Sequence, residues 1–318
     1  MGTSKPTVID LCAVIVSTAQ ETPHILAVRQ PGGPESLPSG PFDSVTHATL
    51  EKGLHQWVEE QTGLALNYAE QLYTFGDKFR DPGERDGGSR HVSVGYVALT
   101  RPGPLAGGGN AEWIDWYTFF PWEDWRRGKP QMIASDIVPA LTKWAQSGKT
   151  GSARADRHER VATTFGLTDA GWDVVRVLER YELLYQTRVV AEAWRDGKTD
   201  AHKTEARPAM GREMAQDHRR ILATAMSRIR GKLTYRPVVF DLLPQTFTLL
   251  QLQKTVEALS GTGLHKQNFR RMVITGKLVE PTGDFEQGGT GRPAELYRFR
   301  TDVYGEQLSP GVGKFGGR

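Results

Sequence analysis

The chain has 318 residues, of which 38% are hydrophobic and 24% are charged. This ordinary globular composition excludes a chain that is disordered throughout, and the length favours two domains. No run of about 18 apolar residues occurs, which excludes a transmembrane helix, and the start of the chain lacks the cleavage site of a signal peptide. A single cysteine, Cys12, excludes an internal disulfide and a zinc site built from cysteines. We therefore expect a cytoplasmic protein with no membrane partner.

Charge is distributed unevenly along the chain, although the formal net charge is only +3. Residues 1–202 hold 21 Lys+Arg against 26 Asp+Glu, a net of −5, and residues 203–318 hold 19 against 11, a net of +8. An acidic first part and a basic second part indicate two different tasks. The basic part is expected to bind a polyanion.

The first elements predicted along the chain are two strands and a helix. Residues 8–16 and 25–28 are apolar and rich in Val and Ile, and the Gln-Glu-Thr-Pro turn between them predicts a β-hairpin. The apolar residues of the stretch 50–61 have helical spacing, and Gly63 stands where a helix C-cap glycine is expected. These patterns begin a mixed α+β domain.

Two further strand patterns, at residues 71–75 and 91–99, and an aromatic-rich stretch at 113–125 complete this domain, which we place at residues 1–147. Residues 148–210 follow as a helical connector with a polar, hinge-like end. The next stretch, 211–230, has its apolar residues on one helical face. Its four arginines are expected to add to a basic surface that a DNA duplex can meet. They are Arg219, Arg220, Arg228 and Arg230.

The C-terminal part shows the element order of a winged helix. A helix begins at Thr248, which forms a capping box with Gln251, and a Ser-Gly-Thr-Gly turn ends it. A second helix is predicted at residues 264–276, with an apolar stripe facing inward. Two strand-like runs, 277–280 and 295–299, enclose a glycine-rich tip and form a predicted wing. The alternative to a DNA-binding domain is a winged helix that binds another protein.

The second of these helices carries side chains that suit DNA. Arginine can form two hydrogen bonds with guanine, and Gln or Asn can do so with adenine, while guanidinium groups also bind phosphate. We therefore predict a DNA-binding domain at residues 211–318 that contacts double-stranded operator DNA. The predicted base or groove contacts are Gln267, Asn268, Arg270, Arg271 and the wing-tip Arg292, and the predicted phosphate contacts are Thr248, Lys254 and Lys266.

Residues 37–64 resemble a Nudix box. That motif is a glycine, five residues, Glu, seven residues, and then Arg-Glu-hydrophobic-x-Glu-Glu-x-Gly-hydrophobic, and its carboxylates hold Mg²⁺ or Mn²⁺ against a diphosphate. With Gly63 placed on the motif's last glycine, most of the charged positions hold other residues. Gln56 stands for Arg, Trp57 for the next Glu and Gln61 for the second Glu of the pair, while Glu60 keeps the first. We predict that the fold is kept and that metal, cofactor and catalytic residues are absent.

Other segments resemble the Nudix-related transcriptional regulators, which join a Nudix-like effector domain, an α/β/α sandwich, to a C-terminal winged helix. These segments are residues 73–81, 91–99, 230–244, 268–283 and 288–299. The resemblance implies a repressor of NAD-metabolism genes that responds to a nucleotide-sugar effector, ADP-ribose in the best-known members. Two half-sites one DNA turn apart further predict a homodimer. A similarity to Nudix hydrolases leaves an alternative, the cleavage of a nucleoside-diphosphate-linked substrate such as ADP-ribose.

Four residues are predicted to contact an ADP-ribose-like effector. Arg29 ends the second strand, where it could donate two hydrogen bonds to a phosphate or form a surface ion pair. Phe75, Asp77 and Arg80 lie on the loop that resembles the regulators. The aromatic stretch 113–125 could stack on a base, although core packing is the commoner role of such residues.

Overall fold

The computed structural model describes most of the chain. The described residues are 6–19, 21–29, 32–66, 68–78, 82–84, 87–105, 110–196, 210–233, 238–286 and 293–300. Arg80, the wing-tip Arg292 and most of the hinge-like end of the connector lie outside these segments. Within the segments, none of the helices combines the length and the hydropathy that crossing a membrane requires.

Seven strands form the first sheet, with the order β3-β2-β1-β6-β5, while β4 pairs with β1 and β7 with β2. Their bounds are β1 Thr7–Ala19, β2 Thr22–Arg29, β3 Glu35–Ser36, β4 Ser39–Pro41, β5 Glu70–Phe75, β6 Arg90–Leu99 and β7 Asn110–Asp115. The predicted β1–β2 hairpin is confirmed, with Val16 opposite Ile25. On its other edge β1 runs parallel to β6. Because β1 is covered on both faces, its middle is apolar throughout instead of alternating.

Helix α1, Leu50–Thr62, covers one face of this sheet. It begins where the Thr49 side chain accepts a hydrogen bond from the backbone N–H of Lys52, and it ends at Gly63, whose φ of 70° is left-handed. The predicted C-cap glycine is therefore confirmed. Leu54 and Val58 pack against alternate β1 residues such as Leu11 and Ile15, which form the core of this side.

Five helices lie on the side of the larger core, together with a π-helical turn at Ile133–Ile137. They are α2 Val138–Gln146, α3 Gly151–Thr164, α4 Val177–Gln186, α5 Glu192–Arg195 and α6 His218–Leu233. Helix α6 contacts β1 and β5 directly, and α4 packs on α6. With α1 on the opposite face, this is the expected α/β/α sandwich. The described part of the predicted connector, which includes α3 and α4, packs into the same core.

The arginines of α6 correct one sequence expectation, because two of them are fully buried instead of facing DNA. Arg219 pairs with Glu192 at 3.0 Å, and Arg230 pairs with Glu123 at 2.6 Å. Arg220 pairs with Glu182 and Asp217, and Arg228 pairs with Glu70 at 3.4 Å. The acidic first part of the chain therefore neutralises much of this basic segment, since α6 lies between the sheet, α4 and the C-terminal domain.

The C-terminal domain has the predicted order of elements. Helix α7, Leu249–Ser260, begins with the expected capping box of Thr248 and Gln251, and both of its hydrogen bonds are present. Helix α8 spans Lys266–Thr275. The wing strands are β9, Val279–Phe285, and β10, Glu295–Phe299, and a strand that was not predicted, β8 at Thr246–Thr248, pairs with β10. Leu252, Val256, Phe269 and Val273 are buried and pack into the core.

A buried polar contact, here called the α7 joint, fixes the C-terminal end of α7 to the first domain. The Tyr117 hydroxyl donates to the Ala258 carbonyl at 2.7 Å, and Nε of Arg230 donates to the Leu259 carbonyl at 3.0 Å. The backbone N–H of Trp125 donates to the Gly261 carbonyl at 2.6 Å. These donors satisfy carbonyls at the end of α7 that have no hydrogen-bond partner within the helix. The positive charge of the Arg230 guanidinium is also favourable there, because the C-terminal end of a helix dipole is negative. The position of α7 therefore depends on side chains of the first domain and of α6.

Candidate nucleic-acid interface and effector domain

The outer face of α8 collects five of the predicted DNA contacts. Lys266, Gln267, Asn268, Arg270 and Arg271 are all exposed, and none has a hydrogen bond or ion pair with any residue that the structure describes. The opposite face is held in the core by Phe269 and Val273. The inward anchoring fixes the helix, so these charged and amide groups are presented together to solvent, where base edges and phosphates can be bound.

The positive charge of this region is concentrated on α8. The stretch from Lys266 to Lys277 contains four Lys or Arg residues and no Asp or Glu. The wing, by contrast, is acidic where it is described, and its Arg298 is paired with Glu280 at 2.7 Å. Among the described residues of this domain, the positive charge without an ion-pair partner is therefore concentrated on α8.

Two of the predicted phosphate contacts have other roles in the fold. Thr248 is buried, and its hydroxyl accepts the Gln251 N–H at 3.2 Å as the cap of α7. Lys254 pairs with Glu21 and with Glu257, both at 3.3 Å, and the hydrogen bond to Glu257 raises the pKa of Lys254. Neither side chain is brought to the exposed set on α8. Glu21 precedes β2, so the Lys254 ion pair also ties α7 to the first domain.

The Nudix-box helix α1 makes direct hydrogen bonds to β4 where the motif would carry carboxylates. The Trp57 indole N–H donates to the Pro41 carbonyl at 3.0 Å. The Gln61 amide accepts the Ser39 N–H at 3.1 Å and donates to the Ser39 carbonyl at 2.7 Å. A Cβ at Gly40 would lie 2.3 Å from the Trp57 ring. The space between α1 and β4 is therefore filled by protein side chains.

The remaining acidic groups of the box do not form a cluster. Glu59 and Glu60 are exposed, and Glu60 accepts a hydrogen bond from Gln56 at 2.8 Å. Among the residues that can be described, no group of three or more His, Cys, Asp or Glu side chains is placed to hold a metal ion. The box positions thus support packing and local hydrogen bonding in this chain.

The predicted effector contacts are not gathered in one place. Arg29 is half-exposed and pairs with Glu35 at 2.7 Å and Glu112 at 3.0 Å, so it forms the surface ion pair that was its alternative role. Phe75 is buried against Gly95 in the core, which argues against a contact with a ligand. Asp77 is exposed. Arg29 lies on β2 and Phe75 on β5, with β1 and β6 between them.

The aromatic stretch at residues 113–125 is core, as its commoner role predicts. Trp116, Phe119, Phe120 and Trp122 have no exposed area, which contradicts the alternative in which they stack on a base. Phe120 packs edge-on against Trp122, with ring centroids 5.8 Å apart. These rings fill the side of the sheet that α4 and α6 cover.

Sequence reasoning missed one buried cluster, which includes the charged side of the α7 joint. Glu123 is fully buried between Arg180 and Arg230, at 2.6 Å from each. Burial by itself raises the pKa of Glu123, but the two guanidinium groups outweigh it and hold this pKa below the ordinary value. The guanidinium of Arg180 also lies 3.8 Å from the centroid of the Trp172 ring. This cluster connects the aromatic core, α4, α6 and the end of α7.

Comparison with known proteins identifies the C-terminal domain. Residues 239–299 match the family model described as the NrtR DNA-binding winged helix domain. The C-terminal domain is therefore similar to an NrtR-type winged helix. The matched range contains α7, α8 and the wing strands, and so it contains the exposed face described above.

A curated relative and two solved structures extend the comparison. The "ADPR responsive transcriptional repressor NtrR" of Acinetobacter baylyi is 38% identical over 96 residues, which is 30% of this chain and only 38% of that repressor's length. The structure of Shewanella oneidensis NrtR complexed with a 27mer DNA matches with a TM-score of 0.53 at 21% identity, covering 93% of this chain and 95% of that one. A MutT/nudix family protein from Enterococcus faecalis matches with a TM-score of 0.52 at 16% identity, covering 94% and 89%. The fold, a Nudix-type domain followed by an NrtR-type winged helix, and the expected resemblance to the Nudix-related regulators are confirmed.

Proposed function

We propose that the chain is a transcriptional regulator that binds operator DNA through α8 and its wing. The observation that carries this proposal is the exposed face of α8, where Lys266, Gln267, Asn268, Arg270 and Arg271 stand together without partners among the described residues. A domain match to a DNA-binding winged helix and a relative named as a transcriptional repressor support it. The protein acts as a repressor in this proposal.

The chemistry of these side chains predicts which part of the DNA each one contacts. Arg270 and Arg271 can each form two hydrogen bonds with guanine or grip a phosphate, and Gln267 and Asn268 can read adenine. Lys266, at the start of α8, suits a phosphate contact. The wing-tip Arg292, outside the described residues, is proposed to enter the minor groove. We also propose a cytoplasmic homodimer, since two winged helices match a palindromic operator.

The Nudix-type domain is proposed to act as a sensor of an ADP-ribose-like nucleotide. The relative's printed name, an ADPR responsive repressor, supports this class of effector. Control of NAD-metabolism genes, and the domain limits 1–147, 148–210 and 211–318, are parts of the same proposal. Helix α6, grouped with the winged helix by these limits, contacts both domains and is placed to couple them.

We further propose that this domain does not hydrolyse nucleotides. The support is geometric, because Trp57 and Gln61 fill the space between α1 and β4 where the motif would place metal-binding carboxylates. The alternative, a hydrolase of nucleoside-diphosphate-linked substrates, is favoured only by the shared fold of the MutT/nudix protein. We expect no AMP above background when the full chain is incubated with ADP-ribose and Mn²⁺. Turnover that depends on enzyme concentration would show that the hydrolase alternative is correct.

Operator binding is tested by substitution on α8. We expect Arg271→Ala to weaken binding of the protein to its own upstream DNA by about 1–3 kcal/mol, the usual contribution of a bidentate contact with a base. A gel shift with the full chain measures this change. Arg154→Ala, which removes the same charge from the exposed face of α3, is the matched control and should leave affinity unchanged. An equal loss of DNA affinity in both variants would mean that α8 is not the helix that recognises the operator sequence.

A further inference from the structure

A cavity of about 770 Å³ lies where the first sheet meets α6 and the winged helix. Its walls include the loop after α1, the adjoining ends of β5 and β6, the last turns of α6 and Asp241, which precedes β8. It lies at the end of β5 where Glu70 pairs with Val97, whereas Phe75 pairs with Ser93 at the other end. β4 pairs with residues 10–12 of β1, which lie beside residues 93–95 of β6, so the cavity at residues 97–101 is separate from the contact between α1 and β4.

The charged groups of this cavity carry an excess of positive charge. Arg228 and Lys232 both form ion pairs with the single carboxylate of Glu70. Arg101 lies close enough to Asp241 to interact with it electrostatically. Three cations thus face two carboxylates. Burial raises the pKa of Asp241, and the nearby positive charge of Arg101 opposes this shift.

The uncharged part of the wall is mostly apolar. Leu66, Leu99 and Ile229 line the cavity, and Tyr68, which is 69% exposed, stands at its edge. A volume in the range of roughly 300–1,000 Å³, with apolar walls and a few charged groups, is typical of small-molecule sites. A ligand that carries both a phosphate and a flat apolar group matches both parts of this wall.

We propose that this cavity binds an anionic, nucleotide-sized ligand, with its phosphate at Arg228 and Lys232 and its apolar part against Leu66 and Ile229. Arg228 retains one donor bond to the Leu72 carbonyl at 3.2 Å, which fixes its guanidinium at the wall. The side chain of Lys232 is mostly buried, so its ammonium is already largely removed from water. Both cations are therefore positioned before the ligand arrives, which lowers the entropic penalty of binding.

The same turn of α6 connects the cavity to the α7 joint. Arg228, Ile229 and Lys232 face the cavity, while Arg230 points the other way and bonds the Leu259 carbonyl and Glu123. A ligand that shifts this turn therefore acts on the helix that supports α8. As an effector site the cavity rests on the proposed regulatory function, whereas ligand binding itself does not.

The test uses isothermal titration of the full chain with ADP as the probe. We expect Arg228→Gln and Lys232→Gln each to weaken ADP binding about tenfold or more, because each removes a charge-assisted hydrogen bond. Glu70→Gln should tighten binding, since it removes the carboxylate that competes with the phosphate. Arg29→Gln, at the far end of the sheet, should leave the affinity unchanged.

The expected changes in ADP affinity have opposite signs for the two cation variants and for Glu70→Gln, and this separates ligand binding from a structural effect. The substitutions at Arg228 and Lys232 each break one ion pair with Glu70, and the substitution at Glu70 breaks both, so a purely structural role would change ADP affinity in one direction for all three. That outcome, an absence of ADP binding, or a loss confined to Arg29→Gln would each overturn the cavity site. Operator affinity, measured with and without ADP, separates the two proposals. If ADP does not change operator affinity, the cavity is not an effector site, although it still binds ADP. If the protein does not bind the operator at all, the regulatory function is contradicted, and the ADP-binding result is unaffected.

Discussion

Glu123 shows at the scale of one residue how this chain stabilises buried charge. Its carboxylate has no exposed area and is shared by Arg180 and Arg230. Removing one partner of such a group leaves an uncompensated charge inside the protein, which destabilises the fold strongly. The surplus positive charge of the cluster faces the carbonyl end of α7, where it is favourable. One residue therefore supports both the core of the first domain and its contact with the second.

We expect Glu123→Gln to lower the free energy of unfolding by about 3–5 kcal/mol, because both guanidinium groups lose their counter-charge. Urea denaturation at neutral pH measures the difference. Glu59→Gln on the exposed side of α1 is the matched control and should change stability by less than about 0.5 kcal/mol. A loss as small as that of the control would show that the cluster does not stabilise the fold.

The effect of Glu123 has a predictable pH dependence. Its pKa is lowered in the folded protein, so its stabilisation is complete above the ordinary value of 4.5 and is lost as pH falls through the lower folded value. The stability difference between the natural chain and Glu123→Gln should therefore shrink only below pH 4.5. A difference that instead shrinks between neutral pH and pH 5 would contradict the assigned direction of the shift.

At the scale of elements, the end of α7 combines a backbone requirement with a close contact. Gly261 has a left-handed φ of 74°, and a Cβ there would lie 2.4 Å from the Glu123 carbonyl oxygen. Gly283 in β9 also has a positive φ, 83°, but a Cβ there would meet nothing within 4 Å. The two glycines thus separate the effect of backbone strain from the effect of crowding in the α7 joint.

Gly283→Ala should cost about 1–2 kcal/mol from backbone strain alone. Gly261→Ala should cost clearly more, because the new methyl group also forces α7 away from the Glu123 backbone. Thermal unfolding of both variants, with operator affinity as a second readout, measures the difference. Equal losses of stability and unchanged operator affinity for both would mean that the α7 joint does not position the winged helix.

The elements also show which parts of the structure can be read from sequence. Helices α7 and α8 were predictable because the Thr248–Gln251 capping box and the inward stripe of Phe269 and Val273 are local patterns. The sequence pattern predicts a helical connector but gives no bounds for helix α3, since most of its surface is exposed and it buries little more than Val161 and Thr164. Strand β8 is three residues long and pairs with a strand almost fifty residues later, which no local pattern reveals.

The site prediction failed where the partners are distant in sequence. The local sequence predicts Arg219 and Arg230 as surface charges, because their acidic partners, Glu192 and Glu123, lie in other elements. A local signal did exist. The two arginines are three helical turns apart and share their face with the buried Leu222 and Met226, which indicates an inward direction. The exposed face of α8, by contrast, follows from one helix alone.

At the scale of the whole molecule, the basic C-terminal part and the acidic first part partly neutralise one another across α6. Of the basic segments, α8 stays unpaired among the described residues, so it is where net positive charge is available to a duplex. Phosphate contacts of this kind release counterions, so operator affinity should fall steeply with rising salt concentration. Regulation then requires that an effector and the operator favour different positions of the winged helix.

The most direct test of this function is the affinity of the full chain for its own upstream DNA, compared with a scrambled duplex of equal length at the same salt concentration. Fluorescence anisotropy with labelled duplexes gives both values. We predict binding to the upstream sequence that is about a thousandfold tighter or more, the lower end of the range for specific regulators. Equal affinity for the two duplexes would contradict the assignment of the α8 face as a sequence-reading surface.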